Sequence, residues 1–92
     1  MDMNLHMEGL MYGKSLCPII AGEIEVPSGY NNTDEGLLQW LSDNIQYERL
    51  YNNVLEFHIR GIFTAWLAEL ITPAQARQQM LLLFADHFDF AC

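Results

Sequence analysis

Positive charge is what this sequence has least of. Lys14, Arg49, Arg60 and Arg77 are its only lysines and arginines, against twelve aspartates and glutamates, for a net charge of -8. Binding to duplex DNA requires clustered basic groups to neutralise phosphates, so direct duplex binding is not expected. Cysteine is scarce as well. Cys17 and Cys92 provide neither a disulfide framework nor a four-ligand zinc pattern, and the apolar run around Cys17 favours a buried, reduced thiol. No apolar run approaches the roughly 20 residues needed to span a bilayer. Residues 1–7 have neither the basic start nor the apolar stretch of a signal peptide. A cytoplasmic protein with no membrane partner is the expectation.

Catalytic signatures are missing too. There is no G-x-S-x-G elbow, phosphate-binding glycine run, dinucleotide fingerprint or H-E-x-x-H. His6, His58 and His87 fall in separate segments without a local companion, and the pairs His6-x-Glu8 and His87-x-Asp89 lack a third ligand. No catalytic, cofactor-binding or metal-binding residue is assigned, no cofactor is expected, and the function anticipated is non-enzymatic.

What is present is enough apolar material to fold. Hydrophobic residues make up 51% of the 92, including two Trp, four Tyr and five Phe, too apolar for a disordered chain despite its charge. One domain over 1–92 is expected, strand-rich over 1–28 and mainly helical over 33–90. Asn4–Glu8 alternates polar with apolar, Gly9 suggests a bulge, and Tyr12–Ser15 reads as a hairpin connection. Leu16–Ile20 follows, with Pro18 placing it at an edge. Glu23–Val26 then alternates with Ile24 and Val26 inward. The fold expected is α+β: a short N-terminal antiparallel sheet of about three strands packed against two or three helices.

The helical half carries clearer signals. Asn32 or Thr33 caps a helix with Asp34 and Glu35 in its first turn, and Leu37, Leu38, Leu41 and Ile45 form its apolar stripe. Residues 46–71 fit either one long helix weakened at Gly61 or a strand over 54–60 followed by a helix from Ile62. The abundance of Ala and Leu in the second half favours helix. Thr72-Pro73-Ala74-Gln75 places a cap, an N1 proline and a capping-box partner in register for a last helix, with a tail over 86–90 expected to fray.

With so few cations, most carboxylates must face water or a positive partner. Glu23 and Glu25 share one face of the third expected strand, Asp34 and Glu35 open the next helix, and Asp43 lies on its polar side. Packed helix on sheet, they would form one acidic rim able to steer and match a basic groove. Solubility alone also accounts for such a surface. Tyr30, Tyr47 and Tyr51 border polar turns and suit an interface, since tyrosine joins contact area to a polar tip. Arg49 and Arg60 have nearby glutamates, Arg60 at i,i+4 from Glu56, and Arg49 is a candidate to reach a partner's phosphate or carboxylate. The partner-binding candidates are therefore Glu23, Glu25, Tyr30, Asp34, Glu35, Asp43, Tyr47 and Arg49.

The overall profile resembles small phage-encoded anti-CRISPR proteins that act on type I-F surveillance complexes, through small size, one acidic domain, a hairpin-plus-helices pattern and the absence of enzymatic motifs. The resemblance implies an inhibitor in the host bacterial cytoplasm. It would bind a ribonucleoprotein of Cas proteins with crRNA and block capture of target DNA. The alternative is a small regulatory or adaptor protein acting through protein–protein contacts, for instance as a homodimer joined near Trp66 or Phe88.

Overall fold

The computed structural model describes residues 3–88, with side chains from residue 7 onward. It is helical, with α1 Met3–Ala21, α2 Asp34–Asn44, a 3-10 turn Tyr47–Arg49, α3 Asn53–Leu67 and α4 Pro73–Phe88. No strand occurs among the described residues. This corrects the α+β expectation: the segments read as an N-terminal sheet and hairpin are a single helix and the loop after it.

The physical reason lies in a face of α1 that is easily misread. Gly9, Tyr12, Gly13, Leu16, Cys17 and Ile20 are buried, at spacings of i, i+3, i+4, i+7, i+8 and i+11, which is one side of a helix. Two of those positions are glycines because neighbours come too close for a side chain. A Cβ on Gly9 would strike the Leu50 carbonyl oxygen, and one on Gly13 the Phe88 ring. The glycines are contact points, not a bulge and a turn. Pro18 is accommodated inside the helix, and its carbonyl accepts the Glu23 and Ile24 N–H groups at 2.8 and 3.1 Å. Gly22, at φ +85, ends α1: its N–H reaches Ile19 O at 3.2 Å while Glu23 reaches back to Pro18, a Schellman motif.

Glu23 and Glu25 consequently lie in a loop, not on a strand. Val26 is buried as expected, but Ile24 is 54% exposed. The loop is braced where the Val26 N–H donates to Asn32 Oδ1 at 3.2 Å. Thr33 is the cap of α2, its hydroxyl accepting from Gly36 N at 3.0 Å, and Leu37, Leu38 and Leu41 are fully buried. The segment that fitted both helix and strand is helical from Asn53, capped by Asn52 Oδ1 accepting the Leu55 N–H at 2.9 Å. Gly61 sits mid-helix with open space over it.

Helix α4 is the common partner of α1, α2 and α3. Its buried residues Ala76, Met80, Phe84 and Phe88 repeat every fourth position, so one stripe serves all three neighbours. The helix persists through Phe88, which is 6% exposed; Asp89 and Phe90, the rest of the tail expected to fray, lie outside the described residues. Cys17 is buried and disulfide-bonded, which corrects the expectation of a reduced thiol.

Candidate functional site

The four basic residues decide what kind of surface the molecule shows, and the three arginines are used internally. Arg77, on α4, donates from Nε to Ile20 O at 2.8 Å and from Nη2 to Ile19 O at 3.3 Å, and its Nη1 pairs with Asp34 at 2.9 Å. One guanidinium thus satisfies the carbonyl end of α1, where a cation suits the helix dipole, and pairs with the carboxylate that opens α2. Arg60 pairs with Glu56 at 2.9 Å and lies 4.2 Å over the Tyr47 ring. Arg49 lies 4.3 Å over the Tyr12 ring. Burial pushes the Tyr47 hydroxyl above its ordinary value, Arg60 pulls it down and Glu56 adds to the rise.

These contacts sort the residues singled out in the sequence. Asp34 is neutralised by Arg77, and Tyr47 and Arg49 belong to intramolecular stacks. Tyr30 is half-buried, donating to Asp43 Oδ2 at 2.9 Å and accepting from Asn44 at 3.3 Å, so Tyr30 and Asp43 bind each other. Glu23, Glu25 and Glu35 are exposed. None of these three makes a side-chain hydrogen bond or ion pair among the described residues. The helix-on-sheet packing from which a single acidic rim was expected does not occur among the described residues; Glu23 and Glu25 sit on one loop and Glu35 at a helix start.

Glu35 instead joins residues that sequence reasoning passed over. Three helix ends meet beside it: the start of α2, the end of α3 and the start of α4. They enclose an open cleft of about 500 Å³ lined by Glu35, Trp66, Leu67, Glu69 and Leu70, among others. A second hollow of about 380 Å³, lined by Tyr30 and Gln39, shares Glu35 with the first. The cleft exists because α3 stops sharply. Glu69 N–H bonds to Trp66 O at 3.0 Å and Leu70 N–H to Ala65 O at 2.9 Å, a second Schellman motif, here with glutamate at φ +61 in the position glycine usually holds. That reversal leaves Leu67 67% and Leu70 77% exposed at the cleft.

On the far side the capping box of α4 is formed as the sequence indicated. Thr72 N–H donates to Gln75 Oε1 at 2.8 Å and Gln75 N–H to Thr72 Oγ1 at 3.1 Å. With those donors occupied and Pro73 having none, little of this helix end is left to attract an anion. The cleft therefore combines two unpaired carboxylates, one half-buried indole and exposed aliphatic carbon. No group of three or more possible metal ligands occurs among the described residues, and no described helix is long and apolar enough to cross a membrane.

The chain matches no protein-family model, no curated protein and no solved structure.

Proposed function

We propose that this protein is a non-enzymatic binding protein that docks through its acidic surface onto a basic surface of a protein or ribonucleoprotein and inhibits what that surface normally does. The observation that carries the reading is the use of the cations. Of the four basic residues, the three arginines are each held by a carboxylate or an aromatic ring of the same chain, although Arg49 and Arg60 stay at the surface, while Glu23, Glu25, Glu35 and Glu69 face outward with no ion pair among the described residues. A surface built this way repels other acids, and it associates quickly with a positive patch. A crRNA-guided surveillance complex is the specific candidate, because its protein surface holds nucleic acid; blocked capture of target DNA is then the inhibitory act. The hairpin that contributed to the resemblance with type I-F inhibitors is not part of the fold, so size and acidity support that candidate.

The test is affinity capture with tagged protein, from lysates with and without a type I complex, washed at low and high salt. A crRNA-containing complex that no longer captures target DNA is the expected product. Capture should fall with salt and with the double reversal Glu23→Lys, Glu25→Lys, two exposed positions whose change leaves the core intact. Capture indifferent to both would sink the electrostatic reading.

The adaptor reading is favoured by a separate observation, the outer side of α3, where Val54 is 62% and Phe57 74% exposed. Under it, Phe57→Glu abolishes capture of a host protein and the loop reversal does not.

A further inference from the structure

Resting on the reading of this chain as an acidic binder, we propose that the cleft between the ends of α2, α3 and α4 is a receptor for one arginine side chain of the partner. Four features of the cleft point to the same ligand. Its volume of about 500 Å³ lies within the range of small-ligand pockets, about 300–1,000 Å³. Its charged lining, Glu35 and Glu69, carries only acceptors and has no cation of its own. Its aromatic lining, Trp66, is the side chain whose face attracts cations best. Its aliphatic lining, Leu67 and Leu70, is exposed where a methylene stem could lie along it.

Arginine meets these demands better than lysine does. The guanidinium is planar and weakly hydrated, stacks on an aromatic face and forks between acceptors, whereas an ammonium is a compact, strongly hydrated point charge. The protein already treats its own arginines this way. Arg49 and Arg60 each lie within 4.3 Å of a tyrosine ring centre, and Arg60 also pairs with a glutamate. The cleft lining likewise combines an aromatic side chain with carboxylates, with the arginine left to come from outside.

Glu69 supplies the independent handle. It occupies a left-handed backbone position that glycine, as at Gly22, would take at lower cost. Replacing it by glycine removes a carboxylate from the cleft while relieving the backbone, so binding and stability should move in opposite directions. A merely damaged fold would lose both.

The experiment uses the full chain and a short capped peptide with one arginine between leucines, beside versions carrying citrulline or lysine in its place. Two-dimensional NMR follows the two indole N–H signals, assigned with Trp40→Phe. The Trp66 signal should shift saturably with the arginine peptide, less with lysine and least with citrulline. Glu35→Gln and Glu69→Gln should each raise Kd roughly two- to fivefold, the range of one exposed ion pair. Glu69→Gly should do the same while raising Tm. Equal binding of citrulline, or a Trp66 signal that does not respond, overturns the cleft assignment. Peptide binding that is lost with Glu23→Lys, Glu25→Lys and unchanged by the Glu35 and Glu69 variants also overturns it, and leaves the acidic-surface reading standing. Binding of no basic peptide or partner at all removes both.

Discussion

Two residues that end helices show how far a single position can be read. Gly22 and Glu69 perform the same backbone task, each closing a helix with a Schellman motif at positive φ. The glycine is recognisable in the sequence as a stop; the glutamate is not, because nothing in its chemistry announces a left-handed backbone, and the cleft it shapes was invisible for the same reason. A non-glycine residue in that region carries a cost of about 1–2 kcal/mol, partly offset by the entropy glycine loses on folding. Glu69→Gly is accordingly expected to stabilise the fold by a few tenths to about 1 kcal/mol, measured by urea denaturation. Gly36 should behave oppositely. A Cβ there would run into the Asn31 backbone, which cannot swing aside as a side chain does, so Gly36→Ala should cost about 1–3 kcal/mol. The local signals that were legible, Thr33 and Thr72 as caps and Glu56 with Arg60, involve neighbours within four residues. The signals missed, Asp34 with Arg77 and Tyr12 with Arg49, join residues far apart in the chain.

Among elements, α1 was the one misjudged and α4 the one best anticipated, and both outcomes have the same cause. Glycine and proline weaken a helix when nothing packs on them, so Gly9, Gly13 and Pro18 read as breaks. In the fold the glycines are where the backbone of residues 49–50 and the Phe88 ring press against α1, and that tertiary contact overrides propensity. For α4 the capping box is independent of tertiary context and its meaning survived. Thr72→Ala should cost about 1 kcal/mol, visible as a lower denaturation midpoint with an unchanged slope. Arg77 is the joint between elements, since one side chain serves the end of α1 and the start of α2 from α4. Arg77→Met should cost about 1.5–3 kcal/mol, the range for hydrogen bonds to a charged group. Arg77→Lys should recover only part of that loss, because an ammonium cannot span three acceptors in the same plane.

At the scale of the whole molecule, charge is the property the sequence displayed openly, and the fold sharpens it by tying each arginine to a carboxylate or a ring of its own chain. The pH response is expected to come from the opposite end of the scale, through Tyr47. Its hydroxyl is held above the ordinary value of 10.0, chiefly by burial, so the folded protein keeps that proton more tightly than the unfolded chain does. Stability from this difference is fully present below pH 10.0 and is lost as pH rises through the folded value. Denaturation measured on either side of pH 10.0 should show a fall that Tyr47→Phe reduces. The arrangement of the helices also sets an order of events. Because α1, α2 and α3 each bury their apolar faces against α4, none of them has a finished partner while the chain is being synthesised up to Ile71. Until residues 73–88 leave the ribosome the earlier helices must wait with Leu37, Leu41, Leu55 and Ile59 uncovered. A fold centred on α4 can close only once that helix is available to its three neighbours.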